Sequence, residues 1–347
     1  MNALETYRKI YEASYKRQRA MRTQWYFERL LRSDDEVRVS SDGRAGMIAR
    51  SYPFLFWGRE LPLVNISRAT TMPGERGKGC MTELLQDVLR EEAMRGVAFA
   101  AVNPPTRRLY FFFDKFGFST VGYYAEERYT AGYLFSAPEG VVGCEPNPSI
   151  LADIARGRDM SILLSDHDFE LLCEQIGMAD GSVIAAGDDA GKAIMFAGRH
   201  PEPGEPLTVH GLYSSSPGCT TGIMEALRTE AGAEYSLTVR TDAEGAPKAR
   251  LRSGTMMRIL DASTVLNALA EAHPSLRIRI RLHDPLIDAN NATFLLAAGH
   301  AVRDNSPVRP DLDVITSTLC AILFSEPRIG DIFELPSRRL APIVLPG

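Results

Sequence analysis

The spacing of hydrophobic residues changes several times along the chain, and each change marks an element. Ala3 to Arg32 carries Tyr7, Ile10, Tyr11, Tyr15, Trp25, Phe27 and Leu30 among many charges, a spacing that predicts helix in one piece or two. Glu36 to Ser40 and Ala45 to Phe56 flank Ser41-Asp42-Gly43-Arg44, which predicts two strands around an Asp-Gly turn. Trp57-Gly58-Arg59-Glu60 predicts a second turn, and Leu61 to Thr71 starts apolar and β-branched, as suits a mostly buried third strand. Met72-Pro73-Gly74-Glu75-Arg76-Gly77-Lys78-Gly79 is a turn-rich, basic loop. From Cys80 to Arg95 the apolar residues Met81, Leu84, Leu85, Val88 and Leu89 recur at helical spacing, with Gly96 as a C-terminal stop.

Val97 to Val102 is a continuous apolar run, typical of a strand covered on both faces. Asn103-Pro104-Pro105-Thr106 breaks it. Arg107 to Phe116 predicts a short aromatic helix ending at Gly117, and Phe118 to Tyr123 and Arg128 to Phe135 a closing pair of strands. Together these predict a mixed α/β domain over residues 1–140, followed by a linker bracketed by Ala137-Pro138-Glu139-Gly140 and Glu145-Pro146-Asn147-Pro148. Residues 149–234 again offer helices (Leu151 to Arg156, His167 to Ile176), strands (Gly181 to Gly187, Lys192 to Gly198, Val209 to Tyr213) and a helix (Gly222 to Ala231). This second region shares the coarse order of the first without its basic glycine loop, as an internal duplication would. Residues 235–347 form a third region. Its strands are Tyr235 to Val239, Lys248 to Arg252, Leu276 to Leu282 and Ala292 to Ala298, and its helices Ala262 to Ala272 and Asp313 to Phe324. The expected fold class is α/β (α+β) in three domains.

Composition narrows the function classes. The 347 residues are 45% hydrophobic and 24% charged, ordinary for a globular chain of two or three domains. A net charge of −5 supplies no global basic field for nucleic acid or a membrane surface. The five cysteines are scattered, which reads as reduced thiols, and neither they nor the six histidines have metal-ligand spacing. Met1 to Arg22 lacks the apolar core of a signal peptide, and no window approaches the ~20 apolar residues of a membrane span. The expectation is a cytoplasmic protein without metal, nucleic acid or membrane partner.

The chemistry concentrates in the glycine loop. A loop of this kind opening a helix offers free backbone N–H groups and the positive end of the helix dipole, which suits a phosphate. A P-loop would need Gly-Lys-Ser/Thr, whereas Lys78 is followed by Gly79, and a dinucleotide fingerprint needs three glycines at other spacings. The loop also resembles in part the pyrophosphate loop of the GNAT acetyltransferases, Arg/Gln-x-x-Gly-x-Gly/Ala: Arg76 and Gly79 fill the first two slots, but Met81 occupies the third. Taken alone, Gly74, Gly77 and Gly79 serve equally as a tight turn.

Thr71-Met72-Pro73 before Arg76-Gly77-Lys78-Gly79, with Lys115-Phe116-Gly117-Phe118 after it, resembles a GNAT acetyltransferase domain. The helix start Met81-Thr82-Glu83-Leu84-Leu85 more narrowly resembles the Eis-like (enhanced intracellular survival) branch. Weaker matches lie in Met256 to Asp261, Asp284 to Asn291 and Leu319 to Phe324. The resemblance implies a second, degenerate GNAT-like domain and a C-terminal sterol-carrier-protein-like domain that covers the acceptor site or mediates a homo-oligomer. It implies acetyl-CoA as cosubstrate and a primary amine, on a small molecule or a lysine, as acceptor. Ala69, Thr70 and Thr71 would meet the pantetheine amides, and Arg76, Gly77, Lys78, Gly79, Cys80 and Met81 the pyrophosphate. Thr106 stands where many such domains carry an Asn for the pantetheine arm, with Asn103 a nearby substitute.

Two catalytic positions depart from the family. The usual tyrosine acid is replaced by Phe113, which has no proton to donate; Tyr110, one helical turn earlier, carries the nearest hydroxyl on about the same face. The strand Leu61 to Thr71 has no carboxylate to act as base. In the Eis-like branch the C-terminal carboxylate serves, here that of Gly347 at the end of an apolar tail; Glu60 and Asp114 are other carboxylates near the motifs. Cys80 reads as a small loop residue, since no histidine partner lies near it in sequence. Arg277, Arg279 and Arg281 alternate along one strand face and read as a solvated face. A non-catalytic acyl-CoA-binding protein is the alternative function.

Overall fold

The chain begins with helix α1 (Ala3–Ser14), nucleated by a reciprocal cap in which the Asn2 side chain accepts from the Glu5 amide and Glu5 reaches back to Asn2. The computed structural model describes residues 2–15, 20–199, 201–202, 204–242 and 251–324. Helix α2 (Ala20–Trp25) runs on as a π-helical turn over Tyr26–Leu30. The expected helical stretch is therefore two pieces, since α1 ends at Ser14.

Strands β1 (Glu36–Val39), β2 (Ala45–Phe56) and β3 (Arg59–Thr71) form the expected antiparallel meander. The second turn is confined to Trp57 and Gly58, both left-handed (φ 49 and 80°), as in a two-residue hairpin whose twist matches its strands. Arg59 and Glu60, expected in the turn, open β3 instead. Helix α3 (Cys80–Met94) crosses to β4 (Phe99–Val102), which lies parallel to β3. Leu84, Leu85, Val88 and Leu89 of α3 share one buried core with Val64 and Ile66 of β3. Then come α4 (Arg107–Asp114) and the two-residue β5 (Ser119–Thr120).

The middle of the chain supplies β6 (Tyr123–Tyr129), β7 (Val142–Cys144), α5 (Pro148–Arg156), β8 (Met160–Ile162), α6 (Asp166–Gly177) and β9 (Ser182–Asp188). It continues with β10 (Gly191–Ala197), β11 (Leu207–Ser214), α7 (Pro217–Ala231), β12 (Leu237–Asp242) and β13 (Leu251–Ser253). The last part carries β14 (Met256–Ile259), α8 (Ala262–Ala272), β15 (Ile278–His283), β16 (Ala292–Ala297), β17 (His300–Arg303), β18 (Leu312–Ile315) and α9 (Thr316–Phe324).

These elements form two compact units, and their limits differ from the expected domain boundaries at 140 and 235. One unit is Met1–Val121 together with the described residues from Thr255 on, and the other contains Gly122–Gly254. In the first, strands follow the order β1-β2-β3-β4-β14-β5; in the second, β13-β6-β12-β11-β10-β9-β7. The closing strands expected over Phe118 to Tyr123 and Arg128 to Phe135 are instead the short β5 and β6. Strand β6, which spans the gap between those two stretches, pairs with β12 and β13, which were expected to open the third region and belong to the second sheet. In return β14 lies between β4 and β5 of the first sheet. All four residues of β14 are buried, as a central strand covered on both faces requires. A run of apolar residues announces such a strand but not its partner.

The first unit also holds the sheet β17-β16-β15-β18. Its β18 corrects the expected helix Asp313 to Phe324: Leu312–Ile315 pairs in parallel with β15, so the helix starts at Thr316. On β15, Arg279 binds Asp304 at 2.7 Å and Arg281 lies 3.7 Å from Asp313, so two of the three arginines of the expected face are in ion pairs, while Arg277 precedes the strand and is exposed. Hydrogen bonds from Arg279 and Ser306 hold the Asp304 carboxyl at about 2.

Arg258 of β14 ties this part of the unit together. Its side chain is wholly buried and donates to Asp284 Oδ1 at 2.6 Å and to the Phe116 carbonyl. Asp284 also accepts from the Leu286 and Ile287 amides (2.9 and 3.1 Å) and from Asn290 Nδ2 at 2.9 Å. Burial raises the Asp284 pKa, but Arg258 and these donors outweigh it and hold the carboxyl below its ordinary range. Gly117 is left-handed (φ 79°), and a Cβ there would run into the Arg258 guanidinium. The Phe-Gly-Phe segment is thus seated on a buried ion pair.

Candidate functional site

The site begins with an irregularity in β3. Gly46 pairs with Thr70 and Ile48 with Ser67, so Arg68 and Ala69 stand opposite the single residue Met47. This is a β-bulge, and Arg68 takes a left-handed φ of 50° to make it. The Arg68 carbonyl accepts from Tyr7 Oη at 3.2 Å, and its guanidinium lies 5.3 Å from the centre of the Tyr26 ring. The Tyr7 and Tyr26 hydroxyls are 3.2 Å apart, and burial pushes both phenols above their ordinary range, so they stay protonated. The aromatic residues of α1 and the π-turn therefore brace the bulge, a role their spacing in sequence did not disclose.

The bulge turns β3 away from its parallel neighbour. β3 pairs with β4 only from Leu63 to Asn65, and the next residue of β4, Val102, pairs with Met256 on the other side. From Ile66 to Thr71 the β4-facing edge of β3 has no strand partner among the described residues. The two strands form a fork whose free backbone groups lie along Ala69, Thr70 and Thr71. Asn65 stands at the crotch of this fork. It is only 5% exposed, and its Oδ1 has no hydrogen-bond partner among the described residues. Its neighbours Val64 and Ile66 face the core under α3, so Asn65 lies on the opposite face of the sheet.

At the open end of the fork β3 runs straight into the glycine loop. Pro73–Glu75 forms a single 3-10 turn, Arg76 is extended, and Gly77 and Gly79 are left-handed (φ 81 and 95°). Gly79 is the N-cap of α3 and brings no side-chain acceptor, which leaves the first-turn amides of Cys80, Met81 and Thr82 without a side-chain cap. A Cβ on Gly77 would meet nothing within 4 Å, and one on Gly79 only Glu83 Oε1 at 3.9 Å. Glycine is needed at both positions for conformation, and the space above them is open. The residues fit an anionic group: uncapped amides, a helix dipole and the cations Arg44, Arg76 and Lys78.

Those cations already have partners. Lys78 Nζ lies 3.1 Å and Arg44 Nη1 3.0 Å from the same Glu75 carboxylate oxygen. Arg76 Nε donates to the Thr71 carbonyl at 3.3 Å and so fastens the end of β3 to the loop. A phosphate in the loop competes with Glu75 for Lys78 and Arg44, so the backbone amides are its chief support. Arg44, on the turn before β2, is an addition the sequence did not single out.

The remaining expected residues differ in burial and in partners. Ala69, Met81 and Tyr110 are all partly buried against the single core shared by β3, α3 and α4. Thr106 is the exposed N-cap of α4 and makes no side-chain cap, while Asn103 accepts from Thr255 Oγ1 at 2.7 Å. Gly347 lies outside the described residues. Phe113 is buried and packs edge-on to Phe118, and Glu60 and Asp114 are surface carboxylates. Cys80 Sγ donates to Asp42 Oδ2 at 3.5 Å; burial and that carboxylate push the thiol up despite its place at a helix start. It serves the loop as a protonated small residue.

The second unit contains a similar strand–helix–strand crossover with a differently capped helix. Strand β11, helix α7 and strand β12 reproduce the crossover, with Leu207–Val209 parallel to Leu237–Val239. There the helix is capped by its own Ser216 hydroxyl and begins with Pro217, which has no amide to offer. Among the described residues no group of three or more His, Cys, Asp or Glu is placed to hold a metal, and no helix is long and apolar enough to cross a membrane.

Compared by sequence, the chain matches no protein-family model and no curated protein. Compared by structure, it is similar to a GCN5-related N-acetyltransferase from Anabaena variabilis ATCC 29413, with a TM-score of 0.73 at 14% identity, over 96% of this chain and 90% of that one. It is similar to Eis1 from Mycobacterium abscessus, with a TM-score of 0.72 at 15% identity over 98% and 92% of the two chains. A conserved protein of Enterococcus faecalis V583, a probable N-acyltransferase, gives a TM-score of 0.73 at 15% identity over 98% and 95%. The chain has the GNAT-type mixed α/β fold along its length.

Proposed function

We propose that the protein is an acyl-CoA-dependent N-acyltransferase that moves an acetyl group from acetyl-CoA to a primary amine. The observation that carries this reading is the fork between β3 and β4, opened by the Arg68 bulge and ending at uncapped α3 amides behind Gly77 and Gly79. The amides of Gly79, Cys80 and Met81 hold the pyrophosphate, with Lys78 exchanging Glu75 for a phosphate oxygen and Arg76 keeping the loop tied to β3. The pantetheine arm lies in the fork as a substitute strand against Ala69, Thr70 and Thr71. Thr106, at the start of α4, flanks its outer side. The structural neighbours named as acetyltransferases support the same reading.

In the reaction the neutral amine nitrogen attacks the thioester carbonyl. A carbon–nitrogen bond forms, the carbon–sulfur bond breaks with its electron pair on sulfur, and the proton lost by the amine balances the thiolate. With a thiol pKa of about 8.5, the thiolate is a tolerable leaving group even without concerted protonation. Tyr110 carries the hydroxyl nearest to the usual acid position, since Phe113 is a core residue. The C-terminal carboxylate of Gly347 is the proposed base, and the sheet β17-β16-β15-β18 with α8 and α9 the sterol-carrier-like part of the same design.

Release of CoA thiol from acetyl-CoA, measured with spermidine, kanamycin, Nα-acetyl-lysine amide and n-butylamine, tests the proposal. Turnover with at least one amine is expected. Tight binding of acetyl-CoA without thiol release would instead favour a non-catalytic acyl-CoA-binding protein, a reading that the buried Phe113 ring supports. If Tyr110 is the acid, Tyr110→Phe lowers kcat about 10²-fold or more with acetyl-CoA affinity unchanged; an unaltered kcat removes it from the mechanism.

A further inference from the structure

The Asn65 Oδ1, which has no partner among the described residues, remains after the roles above have been assigned. Buried polar atoms in folded chains nearly always have a partner, because leaving an acceptor dry forfeits its hydration without return. Asn65 breaks that rule at the last paired position of the β3–β4 fork, where a substrate would end. We propose that Asn65 holds the acceptor amine: its Oδ1 accepts an N–H of the incoming nitrogen and thereby aims the lone pair at the thioester carbon. The inference rests on the acyl-CoA reading of the fork.

Distance along the chain favours the amine over the cosubstrate as the donor that reaches Asn65. From phosphate to sulfur a pantetheine arm has about thirteen bonds, the length of roughly four to five extended residues. With the phosphates at the loop and the arm laid along β3 from Thr71, the sulfur comes level with Ser67 and Ile66. Both pantetheine amide N–H groups lie behind that point, toward the loop. The thioester itself has no donor. The group arriving next, level with Asn65, is the attacking nitrogen, and an amine brings the N–H that the carbonyl oxygen lacks. Asn65 is also on the sheet face opposite α3, the face on which its cross-strand neighbour Arg50 binds Asp35 and the Leu30 carbonyl. That face therefore carries polar groups at the crotch of the fork, as a polar acceptor requires.

An amide also suits the task chemically. A neutral oxygen binds an uncharged amine without stabilising its ammonium form, which has no lone pair to attack with. It acts here by holding substrate, leaving proton removal to another group.

The test is Asn65→Leu, a similar volume without the acceptor, assayed with acetyl-CoA and the panel amine that the wild type turns over fastest. The expected result is a loss of about tenfold or more in kcat/KM for the amine, carried mainly by KM. The Kd for acetyl-CoA should be unchanged and Tm unchanged or raised, since a strained polar burial has been removed. Asn65→Asp keeps an acceptor oxygen at the same place and so holds the amine KM near the wild-type value, but its charge stabilises the ammonium form and lowers kcat, a split between KM and kcat that a purely structural role would not reproduce. An unchanged amine KM in Asn65→Leu with acetyl-CoA binding intact overturns the inference. So does a loss confined to acetyl-CoA affinity, which would place Asn65 on the pantetheine arm. Absence of acetyl-CoA binding or of any thiol release in the wild type is a different failure: it removes the acyltransferase reading, and this inference with it.

Discussion

Replacing Gly79 with Asp abolishes acetyl-CoA binding, a loss of about 100-fold or more in Kd by calorimetry. Two effects combine. At φ 95° any residue with a Cβ is strained, at a cost of roughly 1–3 kcal/mol that the loop meets by changing shape. A carboxylate is also placed at the positive end of α3, where it occupies the uncapped amides as an internal substitute for phosphate. Gly74 is the control. It lies in the Pro73–Glu75 turn outside the left-handed set, with open space around its Cβ position, so Gly74→Ala leaves the affinity unchanged. If Gly79→Asp bound acetyl-CoA as the wild type does, the glycines would be a turn and nothing more.

Removing the Arg258 side chain should cost the first unit about 3–5 kcal/mol, because Asp284 is left charged and buried and the Phe116 carbonyl loses its donor. Trp25 and Trp57 are the chain's two tryptophans and both fall in this unit, so intrinsic fluorescence during urea unfolding reports on it alone. Arg258→Met combined with Asp284→Leu recovers much of the loss, since an apolar pair of similar volume leaves no orphaned charge. The pH dependence has a definite sign. The folded carboxyl of Asp284 titrates below its unfolded counterpart at about 3.9, so its contribution is fully present above that value and falls away as pH drops through the folded pKa. Arg258→Ala raises the folded pKa and moves the onset of acid unfolding to higher pH. Full stability in Arg258→Ala would mean that the ion pair does not support the Phe-Gly-Phe segment.

The two units start the helix of the same crossover in different ways. Both have a strand, a helix and a parallel strand. In the first the helix N-cap is a left-handed glycine with open space above it; in the second it is Ser216, whose hydroxyl accepts from the Cys219 amide, followed by Pro217. A self-capped helix has less to give a ligand, and the glycine loop marks this difference between the two units already in sequence.

Local chemistry was legible without coordinates. The Asp42-Gly43 turn, the meander, the loop glycines and the amphipathic α3 all follow from propensities and spacings within a dozen residues. Even the weaker matches had content: Arg258 lies in Met256 to Asp261, and Asp284 and Asn290 in Asp284 to Asn291, the stretches that build the buried ion-pair network. Their pairing across more than twenty residues was not legible, because a single Arg in an apolar strand does not name its carboxylate.

Leu61 to Gly96 is thus set by its own residues as strand, open glycine loop and helix, since each of those choices is made by neighbours in the chain. The fork that makes the loop useful is set elsewhere. It needs the Arg68 bulge, braced by Tyr7 and Tyr26, and it needs β14 to take β4 on its far side while β3 swings free. Strand partners and bulge positions depend on which distant backbone supplies the hydrogen bonds, and a local pattern of apolar residues is the same whichever partner that is.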